Sequence, residues 1–127
     1  SADDPRRARV TKLCLSFPET NFEYHGAHGT YRVRKKAFVY YLDNHHGDGI
    51  VCVAAKVGPG DNQALVASQP DRFCMPAYIA SRGWVSLRFD RGPIDWNEVR
   101  ELIAASYVLV APKKLAAEVL RAAADAR

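Results

Sequence analysis

In the stretch Thr30-Tyr31-Arg32-Val33-Arg34-Lys35-Lys36-Ala37-Phe38-Val39-Tyr40-Tyr41-Leu42, β-branched and aromatic residues flank the short basic run Arg34-Lys35-Lys36. Such residues favour extended strands, and a link this short joins only antiparallel neighbours. The pattern spreads outward from there. From Thr20 onward Gly26, Gly29, Gly47 and Gly49 punctuate segments rich in Tyr, Phe, Val and Ile, which predicts strands over about 21–26, 29–34, 37–43 and 49–56. Between the last two, the polar loop Asp43 to Gly49 carries Asn and Gly residues that tolerate positive φ.

Helices bracket this region. Asp4 before Pro5 caps a helix from about Pro5 to Ser16, with Val10, Leu13, Cys14 and Phe17 on one apolar face and Pro18 as the stop. Asp61, after Pro59-Gly60, caps a helix carrying Leu65, Val66 and Ala67 that ends before Pro70, and Asp71-Arg72-Phe73 reads as a short turn. Trp84 to Asp90 alternates as a further strand. Asp95-Trp96-Asn97-Glu98 has the form of a capping box, with Glu98 reaching back to the cap, and Val99, Leu102, Ile103 and Tyr107 form the buried stripe that follows. Pro112 opens a last helix with Leu115, Ala116, Val119 and Leu120 facing inward, and the alanine-rich end, Ala122 to Arg127, is prone to fraying. This order predicts an α+β domain of two layers over residues 1–127, an antiparallel sheet with helices packed on one face.

Composition narrows the function classes. With 48% apolar and 25% charged residues the chain is ordinary globular material, and no run approaches a membrane span of roughly 18 apolar residues. The start Ser1-Ala2-Asp3-Asp4 lacks the basic-then-apolar plan of a leader, so a soluble, cytoplasmic monomer is expected. Cys14, Cys52 and Cys74 are odd in number and sit among apolar residues, which suits buried free thiols. A net charge of +4 favours an anionic partner only slightly.

The ordered set Gln69-Pro70-Asp71-Arg72-Phe73, Pro76-Ala77-Tyr78, Gly83-Trp84-Val85, Asp95-Trp96, Ser106-Tyr107 and Ala111-Pro112-Lys113-Lys114-Leu115 resembles the MmcQ/YjbR family. Tyr31-Arg32-Val33 leading to Lys36 and Phe38 also matches, and the resemblance covers nearly the whole chain. It implies a CyaY-like, secretion-chaperone-like fold and a small bacterial DNA-binding protein with a double-wing motif. It supplies no catalytic residue. Frataxin-type proteins of this shape carry an acidic ridge on the first helix, whereas this one has Arg6, Arg7, Arg9 and Lys12, so iron delivery is not expected.

Two candidate surfaces follow. Arg32, Arg34, Lys35 and Lys36, joined by Lys113 and Lys114, suit phosphate contacts, with Arg32 and Arg34 sharing one face of a strand and the lysines at the hairpin tip. The same run also suits a solvated hairpin guarding a sheet edge. Lys36 and Lys113 stand out because the family pattern places basic residues there too. Tyr78, Arg82 and Trp84 form the second surface, a groove for an anionic or planar ligand, although tryptophans in so small a domain also serve as core anchors.

Enzymatic and metal signatures are missing from the sequence. His25 and His28, and the adjacent His45-His46, lack zinc-site spacing, and neighbouring loop histidines are expected to point apart. Gly58-Pro59-Gly60-Asp61-Asn62 lacks the Lys-Ser/Thr of a P-loop, and burial makes Cys52 a poor nucleophile. No cofactor, metal or catalytic residue is expected. The leading expectation is non-specific DNA binding through phosphates, with a protein-interaction module on the open sheet face or a small-ligand binder as alternatives. The interaction reading requires Tyr24, Tyr31, Tyr40 and Tyr41 to gather on the uncovered face.

Overall fold

Six strands form one antiparallel sheet: Thr20–His25 (β1), His28–Val33 (β2), Lys36–Asp43 (β3), Val51–Lys56 (β4), Phe73–Cys74 (β5) and Trp84–Arg88 (β6), in the spatial order β1-β2-β3-β4-β6-β5. Four helices accompany it: Pro5–Leu15 (α1), Asp61–Ser68 (α2), Trp96–Val110 (α3) and Lys113–Asp125 (α4). The computed structural model describes residues 3–126, so Ser1, Ala2 and Arg127, on which the leader and fraying expectations partly rest, lie outside the described residues.

Strand alternation decides which side chains meet the helices. The row Tyr31, Val39, Ala55 and Val85 and the row Tyr41, Val53, Leu87 and Phe73 run across neighbouring strands in register. Both rows are buried, in one cluster with Val10 and Cys14 of α1 and Val99, Ile103 and Tyr107 of α3. Each such large apolar side chain contributes roughly 1.5–3 kcal/mol on burial. Helices α1 and α3 therefore lie on one face of the sheet, with α4 packed against α3. The opposite face carries the row Thr30, Tyr40, Ala54, Ser86 and Cys74. Near β6 it is sheltered too, since Ala54 and Ser86 are buried. There Asn62 of α2 donates to the carbonyls of Ala80 and Trp84, at 2.9 and 3.1 Å, tying α2 to the segment that enters β6.

Several local expectations change. Gly60, at φ 80°, caps α2 and Asp61 is its first residue, because the left-handed turn there suits glycine. Asp95 caps α3 through the backbone N–H groups of Asn97 and Glu98, but the Glu98 carboxylate pairs with Arg72 instead of closing a capping box. The turn at Asp71-Arg72 continues into β5, a strand too short to leave a period in the sequence. Leu120 is 57% exposed instead of facing inward, and Cys74 is only half-buried.

Candidate functional site

The β2–β3 hairpin closes on two residues, with Val33 opposite Lys36. Arg34 takes φ 54° at its tip, so strand alternation no longer applies to it and it does not share a strand face with Arg32. Its guanidinium instead lies 3.0 Å from Glu19 Oε1, and its backbone N–H donates to the Glu19 carbonyl. Arg32 points across β1 to Glu23, at 3.2 Å. Exposed pairs of this kind are worth only about 0–1 kcal/mol, yet each sets a carboxylate where an incoming phosphate would sit. The two arginines of the basic run are thus compensated, and its two lysines form no ion pair among the described residues.

A β-bulge shapes the next step of β3. Tyr31 faces Val39 while Arg32 faces Ala37, so Phe38 is an extra residue without a partner in that ladder. Ser106 of α3 satisfies it: its buried hydroxyl donates to the Phe38 carbonyl at 2.6 Å and accepts from the backbone N–H of Lys56 at 2.9 Å. One side chain thereby locks β3, β4 and the last turns of α3 together, and fixes where Lys36 and Lys56 leave the sheet.

Two adjoining grooves open at this end of the molecule. The first, about 540 Å³, runs between the hairpin tip and the start of α4; it is walled by Val33, Val110, Ala111 and Pro112 and carries Arg34, Lys35, Lys36 and Lys113. The second, about 350 Å³, has Tyr40, Trp84, Ile79 and Leu109 as apolar walls and Lys36, Lys56 and Arg82 as cations. Lys36 lines both. No carboxylate lines either groove, and five of the cations that do (Lys35, Lys36, Lys56, Arg82 and Lys113) have no ion-pair partner among the described residues. Clefts lined by one sign of charge concentrate ions of the other.

Arg82 reaches the groove from a 3-10 turn, Ala80–Arg82, that ends at Gly83. Gly83 has φ 91°, and a Cβ there would sit 3.2 Å from the Val57 carbonyl, so the tight return into β6 needs glycine. Trp84 is 7% exposed, with its ring centroid 5.2 Å from that of Tyr40. It serves as core anchor and groove wall at once. Tyr78, by contrast, is 85% exposed, holds φ 69° and stands edge-on to His46, away from the groove lining. Lys114 is exposed on the first turn of α4 but lines neither groove. Lys56 and Tyr40 were missed as groove residues; Lys56 ends the apolar run of β4, and a lone cation there was the available signal.

Several arginines elsewhere are engaged by neighbouring groups. In a recess beside Pro93, Arg72 pairs with Glu98 and Arg88 with Asp90. On α1, Arg6 pairs with Asp4, the Arg7 guanidinium donates to the Gly26 carbonyl and lies over the Tyr24 ring, and Arg9 lies over the Trp96 ring. The histidines differ from expectation: His45 and His46 bring their ring centroids within 3.9 Å, because His46 adopts φ 54° and turns its side chain to the same side. His28, whose ring bonds the Asp43 carbonyl, lies 5.3 Å from His45, and partial burial, helped by the neighbouring His46 and His28 imidazoles, lowers the His45 pKa. Among the described residues no group of three or more His, Cys, Asp or Glu side chains is placed to hold a metal ion, and no helix is long and apolar enough to cross a membrane.

The fold has a solved counterpart. A crystal structure of protein DR2400 from Deinococcus radiodurans, a DUF419 domain, superposes with a TM-score of 0.67 at 18% sequence identity, covering 85% of this chain and 80% of that one. No curated protein matches the chain. The family model named YjbR matches residues 15–109, a span that holds all six strands, most of α3 and every groove residue except Val110, Ala111, Pro112 and Lys113. The chain belongs to the YjbR family.

Proposed function

We propose that this protein binds DNA non-specifically, by phosphate contacts to Lys35, Lys36, Lys56, Arg82 and Lys113, with Lys114 at the margin and Arg32 and Arg34 as weaker, carboxylate-compensated contributors. One observation carries the reading: the two grooves that share Lys36 are lined by cations and apolar groups without a single carboxylate. Lysine ammonium groups act as point charges on phosphates and read no sequence, so affinity is electrostatic and independent of base order. The reading assigns no reactive centre and makes the protein a monomeric cytoplasmic binder.

The interaction-module alternative loses its main support, because Tyr31 and Tyr41 lie in the core beneath the helices and only Tyr40 of the four tyrosines is on the opposite face near the groove. A salt titration tests the DNA reading. With five phosphates neutralised, the slope of log K against log salt is about −4.5 for duplex and about −3.5 for single strands. A slope near zero, or no binding of a labelled oligonucleotide by micromolar protein at low salt, removes it.

A further inference from the structure

We infer that the paired grooves accept single-stranded DNA in preference to duplex, with bases against the apolar walls and phosphates against the cations. The inference rests on the DNA reading and adds the form of the strand. A duplex buries the faces of its bases in the stack and offers phosphates and groove edges; the walls formed by Tyr40, Ile79, Leu109, Val110 and Pro112 would then meet nothing apolar. A single strand offers, in every nucleotide, a base face beside a phosphate. Each compartment here has the same alternation, and each is of a size, about 350 and 540 Å³, that takes one small planar group. Lys36, between them, stands where the phosphate linking two neighbouring bases would pass.

Tyr40 is the stacking platform. Its side chain is half-buried and lines the groove, with its ring centroid 5.2 Å from that of Trp84 and tilted 44° to it, so the indole restrains the ring from one side of the pocket. Trp84, 7% exposed, supports the platform and offers little surface of its own. Base stacking on an aromatic side chain is sequence-tolerant and is lost on truncation to alanine, with an effect of at least about fivefold per base.

The test uses the full chain and fluorescence anisotropy with a 5′-labelled oligodeoxythymidine 12-mer and a 12-base-pair duplex at the same low salt. The single strand is expected to bind at least about fivefold tighter. Tyr40→Ala, checked for folding by circular dichroism, is expected to lower the ratio of single-strand to duplex affinity by about fivefold, while Tyr40→Phe, which keeps the ring, retains it. Equal or tighter duplex binding overturns the inference and leaves DNA binding standing, as does a Tyr40→Ala variant with an unchanged ratio. Binding of neither probe removes both readings together.

Discussion

Lys36 and Lys113 line one groove although β4, β5, β6 and α3 all intervene between them in the chain. Their meeting depends on the packing of α3 against β3, which brings the start of α4 back to the β2–β3 hairpin tip. The charges that matter are therefore those gathered by tertiary structure, and they only partly overlap the basic run visible in the sequence.

Ser106→Ala tests that packing. The substitution leaves the Phe38 carbonyl and the Lys56 N–H without their buried partner, and orphaned buried groups cost about 1–3 kcal/mol. Chemical denaturation is expected to show a loss of that size, together with weaker DNA binding as Lys56 and Lys36 lose their fixed exit from the sheet. Unchanged stability would mean that water replaces the hydroxyl and that the bridge does not position the groove.

Asp4 contributes to acid stability. Hydrogen bonds from the Arg6 side chain and backbone, and from the Tyr41 hydroxyl at 3.0 Å, outweigh its burial and hold its pKa down at about 2. A carboxylate depressed in the folded state stabilises the fold above its unfolded pKa, near 3.8, and that contribution fades as pH falls from about 4 toward 2. The amount is on the order of 2 kcal/mol. Asp4→Asn, which retains capping ability, is expected to flatten the acid limb of a stability-versus-pH curve over that window; a curve parallel to that of the parent protein would contradict the assignment.

The three thiols should separate by reactivity. Burial raises the pKa of Cys14 well above its ordinary value and that of Cys52 to about 12, while half-buried Cys74 is raised less. Titration with a thiol reagent at pH 8 is expected to label Cys74 first and to reach Cys14 and Cys52 only on unfolding. Rapid labelling of Cys52 in the folded protein would show that the shelter over β4 is open.

Most of the fold was legible because its signals are local. The Tyr31/Val33 and Phe38/Tyr40 alternation gave the central hairpin, and Asp4-Pro5 and Asp95 gave two helix starts that the structure retains. What stayed hidden depends on distant partners. Arg34 looked like a free strand cation, but its left-handed turn and its pairing with Glu19 come from the hairpin tip docking on the chain just after α1. Glu98 fitted a capping box by spacing, yet Arg72 competes for it. The groove was legible in part: Lys36, Lys113, Arg82 and Trp84 line it as expected, whereas Tyr78 stands apart and Lys56 carries no motif at all.

Charge reversal at two pairs of sites tests the central claim most directly. Lys36→Glu/Lys113→Glu is compared with Arg32→Glu/Arg34→Glu by anisotropy titration of one labelled oligodeoxythymidine at fixed low salt. The groove account predicts a loss of at least about tenfold for the lysine pair, a smaller loss for the arginine pair, and a shallower salt slope, by roughly 1.4, when both lysines are instead replaced by alanine. Equal binding by the parent protein and the Lys36→Glu/Lys113→Glu variant would contradict it.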